Sequence, residues 1–130
     1  MPYLHRVTCK AALFNPTYTK VVLVEYEEHD LGLTGGHLEK DETPDDAVRR
    51  ELREELNIGD EVHLKRKDFW VHTNGKIILG YVGILSENTR FAIDPEEIRA
   101  AHWVSINDLR DGKISAGPYD DFILQNSSAG

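Results

Sequence analysis

Residues 5–14 alternate along the chain, with Val7, Cys9, Ala11 and Leu13 on one face and Thr8 and Lys10 on the other. A period of two predicts a strand. Asn15-Pro16-Thr17-Tyr18-Thr19 is turn chemistry. Val21 to Val24 is a short β-branched run, the pattern of a strand buried on both faces. Glu25 to Asp30 reads as a polar loop, and Leu31 to Leu33 as a brief strand running into Gly35-Gly36. The strongest helix signal starts at Thr43, an N-cap residue followed by Pro44 and two acids, Asp45 and Asp46, suited to the positive end of a helix dipole. Val48, Leu52 and Leu56 then repeat at every fourth position and predict one apolar stripe, while Asn57 tolerates the left-handed conformation that ends a helix.

Val62 to His72 and Lys76 to Leu85 read as two more strands, joined by Asn74-Gly75, a favoured hairpin turn. Asp94 to Glu97 is expected to open a short helix. Trp103-Val104 is expected as a brief strand, Ser105 to Leu109 as a short helix ended by Gly112, Pro118 to Gln125 as a last helix, and 126–130 as a frayed tail. Strands and helices interleave without repeats or linkers. The sum is a single α+β domain over residues 1–130, layered α/β/α around a mixed sheet.

Composition narrows the choice of partner. The chain has 130 residues, 40% hydrophobic and 29% charged, enough for one folded domain and unlike a disordered chain. Fifteen Lys and Arg face 23 Asp and Glu, a formal charge of −8. That balance argues against a nucleic-acid polymer or an anionic membrane surface as the main partner. A phosphate-bearing ligand would need a divalent cation between itself and this protein. The lone Cys9 excludes an internal disulfide and a cysteine-based zinc site. The first residues lack the apolar core of a signal peptide, and no apolar run approaches the roughly 18 residues of a membrane span. A reduced, cytoplasmic location is the expectation.

Half of the net charge is concentrated in one stretch. After Gly35-Gly36 come Glu39, Asp41, Glu42, Asp45, Asp46, Glu51, Glu54 and Glu55, against Lys40, Arg49, Arg50 and Arg53. Glu51, Glu54 and Glu55 are spaced to share one side of the predicted helix, next to its apolar stripe. Three neighbouring carboxylates repel and raise one another's pKa unless a cation intervenes. Arg50 alone does not neutralise three, whereas a hard divalent ion with oxygen ligands does, and Mg²⁺ keeps waters that leave room for phosphates and a nucleophile. The glycine pair lets backbone approach a ligand closely, giving a unit of strand, glycine loop and capped acidic helix. A solvated acidic helix carries the same charges without any function, so the spacing of the whole stretch has to decide.

That spacing resembles the signature of the Nudix hydrolases: Gly, five residues, Glu, seven residues, then Arg-Glu-apolar-any-Glu-Glu-any-Gly-apolar. Gly36, Glu42, Arg50, Glu51, Leu52, Glu54, Glu55 and Ile58 match, and Asn57 stands where the family has Gly. Upstream, Leu31-Gly32-Leu33-Thr34-Gly35-Gly36 replaces the common Trp-any-Leu-Pro-Gly-Gly. Trp103-Val104-Ser105 with Asp108-Leu109 is similar to a later family segment. The resemblance implies the Nudix fold, a mixed sheet in an α/β/α sandwich. It also implies hydrolysis of a nucleoside diphosphate linked to another group, a nucleoside triphosphate above all, and homodimers are common in the family. Glu51, Glu54 and Glu55, with the Gly35 carbonyl, would ligate Mg²⁺ or Mn²⁺. Arg50 would orient the glutamates with Glu42 as its partner, and one glutamate, of the helix or of a loop such as Glu97, would activate water.

Other residues are weighed against plainer roles. Glu97 has Glu96 as a rival and a plainer role in a capping box opened by Asp94. His37, after the glycine pair, is a candidate contact to phosphate, as are Arg6, Lys10 and Lys76, each otherwise a solvated strand residue. Trp70, Tyr81 and Phe14 are candidates for stacking a base and otherwise core. Two alternatives stand beside hydrolysis: a non-catalytic module that binds a nucleotide or ADP-ribose, which has no need of the glutamates, and the prenyl diphosphate isomerase branch of the same fold. The latter wants a cysteine in its pocket, and Cys9 lies early in a predicted strand.

Overall fold

The computed structural model describes residues 6–72 and 75–127. Strand β1 (Val7–Phe14) is the spine of a seven-stranded mixed sheet. Along one edge it pairs in parallel with β6 (Ile77–Ile84), from Val7 opposite Ile77 to Phe14 opposite Ile84. β6 in turn pairs antiparallel with β5 (Lys65–Val71). Along its other edge β1 meets β4 (Thr34–His37), antiparallel, and at Phe14 meets Val21 of β2 (Lys20–Glu27). β2 carries β3 (Asp30–Gly32) on one side and β7 (Ala100–Ser105) on the other.

Alternation along β1 and β2 builds two separate cores. Cys9, Ala11, Leu13, Val22 and Val24 face the helix α1 (Pro44–Leu56), whose Val48, Leu52 and Leu56 are all buried there. Ala12, Phe14, Val21 and Leu23 face the opposite way, toward α2 (Ile106–Arg110) and α3 (Asp120–Gln125), meeting Ile106, Leu109, Phe122 and Ile123. A sheet covered on both faces by helices is the expected sandwich, and it explains why Val21 to Val24 is continuously apolar. Among the described residues no helix is long and apolar enough to cross a membrane.

Helix α1 begins and ends where its caps place it. The Thr43 hydroxyl accepts from the Asp46 N–H, Pro44 opens the first turn, and Asn57 closes the last in the left-handed region at φ 55°, ψ 41°. Asn57 therefore does in this chain what Gly does in the signature.

Several expectations are corrected. The strand expected to stop at Val24 continues to Glu27, because β3 and β7 offer partners along both of its edges. Gly35 and Gly36 are not loop residues but the centre of β4, opposite Lys10 and Cys9 of β1. Asp94 to Glu97 makes one turn and no helix: Asp94 Oδ1 accepts from the Glu96 N–H, and its carbonyl accepts from Glu97 and Ile98. The last helix is split into a 3₁₀ turn, Gly117–Tyr119, and α3, with Gly117 at φ 62°. Asn126 and Ser127 are not frayed, since both tie back to α3, the Ser127 hydroxyl donating to the Leu124 carbonyl at 2.8 Å. Asn74 and residues 128–130 lie outside the described residues, but Gly75 has the positive φ of 84° and β5 and β6 form the antiparallel pair expected of a hairpin.

Candidate active site

β4 runs into α1 through a short connection, and Arg50 locks the join. Its Nε donates to Glu42 Oε2 at 2.7 Å and its Nη2 to Glu42 Oε1 at 3.1 Å, a two-pronged pair. Nη1 donates to Glu51 at 3.0 Å and Glu54 at 3.2 Å, and Nη2 also donates to the His37 carbonyl at 3.1 Å. The hydrogen bond from Arg50 holds the Glu42 carboxyl below the ordinary range, and the same bonds keep the guanidinium firmly protonated.

The three helix carboxylates do not stand together as a fan. Glu54 stands in solvent, its side chain 42% exposed. Glu51 turns inward, its side chain 13% exposed, against the backbone of β4. Glu55 is buried completely under the strand. Its Oε1 accepts from the Thr34 hydroxyl at 2.6 Å and the Gly35 N–H at 2.8 Å, with the Tyr26 hydroxyl at 3.3 Å. Burial pushes the pKa of both Glu51 and Glu55 up, and Glu55 and Glu54 push that of Glu51 further. Among the described residues no Lys, Arg or His nitrogen pairs with Glu55 within 4.0 Å, and no three His, Cys, Asp or Glu side chains already converge as a metal-holding set. Arg50 bridges Glu51 and Glu54, whereas Thr34, Gly35 and Tyr26 draw Glu55 under β4, which is why the expected trio is divided.

Glu51 and Glu55, with Gly35 and Gly36, line a cleft of about 470 Å³ together with Thr8, Lys10, Tyr26, His37, Glu39, Lys76, Glu97 and Tyr119, and Glu54 lies outside that lining. Glu97 reaches it and Glu96 does not. His37 stands at the mouth, its Nδ1 3.1 Å from the Thr8 hydroxyl, and burial with nearby Arg6, Lys76 and Lys10 lowers its pKa. Arg6 itself is exposed at the start of β1 and outside the cleft walls. Of the aromatics proposed to stack, Phe14 and Tyr81 are core, the latter donating to Asp45 at 2.6 Å, and Trp70 packs on Tyr119 and Phe122.

The largest surprise is Lys10, expected to be solvated and found 8% exposed. Its ammonium donates to the Tyr26 hydroxyl at 2.9 Å and to the carbonyls of Leu33 and Gly35 at 3.1 and 3.2 Å, and lies 4.5 Å from the Tyr26 ring centre. Burial lowers its pKa to about 8. The Gly35 carbonyl thus already receives the ammonium, and the Tyr26 hydroxyl is 3.0 Å away with one proton to share among its acceptors. Thr34, which replaces the usual proline, is the donor to Glu55 and so contributes a hydroxyl that a proline lacks. Nothing in one sequence marks Tyr26, Thr34 or Tyr119.

The family model described as the NUDIX domain matches residues 4–122. The chain belongs to the Nudix family. Solved Nudix-type structures share its fold at low identity. The NUDIX domain of Shewanella oneidensis NrtR, solved with ADP ribose, is 19% identical with a TM-score of 0.77, covering 95% of this chain and 86% of that one. The Escherichia coli dihydroneopterin triphosphate pyrophosphohydrolase is 12% identical with a TM-score of 0.74, covering 95% and 96%. A MutT Nudix hydrolase from Burkholderia pseudomallei is 22% identical with a TM-score of 0.70, covering 97% and 100%. No curated protein sequence matches the chain. The expected sandwich is therefore the Nudix fold, and the matched glutamates and Arg50 lie in the Nudix segment of the chain.

Proposed function

We propose that this Nudix protein hydrolyses a diphosphate linkage in a nucleoside diphosphate derivative, with a nucleoside triphosphate as the leading candidate. The observation that carries the reading is the inward turn of Glu51 and Glu55 onto the Gly35–Gly36 strand. A merely solvated acidic helix would hold both in water. Instead burial raises both pKa values, and among the described residues the cation that acts on Glu55, Lys10, does so from beyond ion-pair distance. Two such oxygen donors beside a cleft fit a hard divalent cation, Mg²⁺ or Mn²⁺, with Glu54 joined to Glu51 through Arg50. When bound, that ion would neutralise charge on the diphosphate and make a bound water more acidic.

The chain's own residues then have separable tasks. Arg50 orients Glu51 and Glu54 and is itself fixed by Glu42. Thr34 and the Gly35 N–H fix Glu55. Glu97, exposed and lining the same cleft, is the candidate to accept a proton from water. His37 and the strand edge at Gly36 border the space for phosphate. The test is hydrolysis of a nucleotide panel with and without Mg²⁺, with Glu54→Gln alongside. Metal-dependent release of a phosphorylated product, reduced in the variant, is expected. No turnover of any substrate rejects the reading. The ADP-ribose complex of the Shewanella domain favours a second reading, a nucleotide or ADP-ribose binding module, which predicts tight binding by calorimetry and no product.

A further inference from the structure

The cleft has a second lobe. Beyond the carboxylate wall a space of about 430 Å³ opens beneath the 115–119 segment, and four residues line both spaces: Lys10, Tyr26, Lys76 and Tyr119. They form the neck between the lobes. The walls of the first lobe carry Glu39, Glu51, Glu55 and Glu97, those of the second carry Asp30 alone among the acids, and the lysines of both walls are the two at the neck.

Lys10 is an unusual member of that neck. Its three N–H groups are directed at three uncharged oxygens. Among the described residues no carboxylate comes within 4.0 Å of it, and Glu55, Glu51 and Asp30 act on it only from further away. Taking an ammonium out of water is expensive unless an anion compensates it. The rings of Tyr26 and Tyr119, 4.5 and 5.8 Å from Nζ, hold it facing the neck. With its donors occupied, Lys10 acts as a fixed point charge rather than a hydrogen-bonding hand.

We propose that Lys10 binds a phosphate of the substrate at the neck, on the side away from the first lobe's four glutamates, so that the nucleoside attached to that phosphate lies in the second lobe. The proposal rests on the hydrolase reading for the substrate class. It gives the substrate a direction: nucleoside beneath Tyr119, first phosphate at Lys10, scissile linkage toward Glu51 and Glu97. Tyr119 and Gly117-Pro118 supply an aromatic and apolar wall for the nucleoside.

The experiment is calorimetric titration with α,β-methylene ADP in Mg²⁺, whose bridging carbon is not hydrolysed, so binding is read apart from turnover. Wild type is compared with Lys10→Met, and adenosine is the uncharged control, followed by NMR. Lys10→Met is expected to weaken the nucleotide analogue at least tenfold and adenosine by less than threefold. Equal weakening of both ligands marks a distorted pocket and overturns the proposal, as does unchanged affinity for the analogue or no binding by wild type. Should Lys10→Met fail to fold, wild-type protein labelled with ¹³C at lysine Cε replaces it: a Lys10 resonance unmoved at saturation overturns the proposal, and a shift absent with adenosine supports it. Wild type that binds the analogue yet turns over no nucleotide sinks the hydrolase reading alone.

Discussion

The carboxylate of Glu51 rests against the bare Cα of Gly36: a Cβ there would stand 2.5 Å from Glu51 Oε1 and 2.6 Å from its Cδ. The obstacle is the far end of a flexible side chain, so the chain tolerates the methyl group by moving the carboxylate. Gly36→Ala is therefore expected to change stability by less than about 1 kcal/mol. A displaced carboxylate of even 1 Å costs roughly 10²-fold in kcat/KM. Gly35 is the opposite case. A Cβ there would lie 2.0 Å from the Cys9 carbonyl oxygen, which is backbone, and φ is +131°. Gly35→Ala is expected to cost about 4 kcal/mol or more, or to prevent folding. Urea denaturation and steady-state kinetics separate the two, and full activity in Gly36→Ala would remove the reason for a glycine there.

Arg50 makes five hydrogen bonds to four residues, and a lysine ammonium has three donors with no fork. Arg50→Lys is expected to lower kcat/KM roughly 10–100-fold, the usual loss when a group that orients metal ligands is removed. Glu42→Gln acts through the same pair, so the double variant should cost little more than Arg50→Lys alone. Strictly additive losses in the cycle would show that Glu42 does not act through Arg50.

Much of this was readable in the sequence, for identifiable reasons. Helix α1 was legible to the residue because its signals are local: a hydroxyl cap at Thr43, Pro44 at the first position, a four-residue apolar repeat and a left-handed Asn57. The spacing of Gly36, Glu42, Arg50 and Glu51 was legible because a helix fixes which side chains meet, and Arg50–Glu42 is the pairing expected. The divided trio was not legible, since the rotation of Glu55 under β4 depends on Thr34 and Tyr26, donors from two other elements. β4 was missed because paired glycines look like a loop until β1 lies beside them. Lys10 was misread for a related reason. Alternation assigned it to a polar face, but that face of β1 is covered by Tyr26 and Tyr119, which arrive from distant parts of the chain.

The stability of the protein should carry the signature of Lys10. Its pKa is near 8 in the folded protein against 10.5 in its ordinary state, because burial disfavours the charged form. The folded protein then releases this proton before the unfolded chain does. Between pH 8 and 10.5 the unfolded chain holds more protons at this site, so stability rises with pH through that window; below pH 8 the full penalty applies. A shift of this size corresponds to roughly 3 kcal/mol. Lys10→Met has no ionisable group at position 10, so the difference between the two proteins carries the lysine together with its action on the Glu55 carboxyl and the His37 ring. Lys10→Met also removes one of the two donors that the Leu33 and Gly35 carbonyls share with the Tyr26 hydroxyl, a loss that does not depend on pH and shifts the whole difference by a constant. Urea unfolding of both proteins at pH 7 and pH 10 is the measurement. Wild type should gain on the variant by up to about 3 kcal/mol between those values. A pH-independent difference would mean that the ammonium is solvated in the folded protein, and the neck between the two lobes would then hold no buried charge.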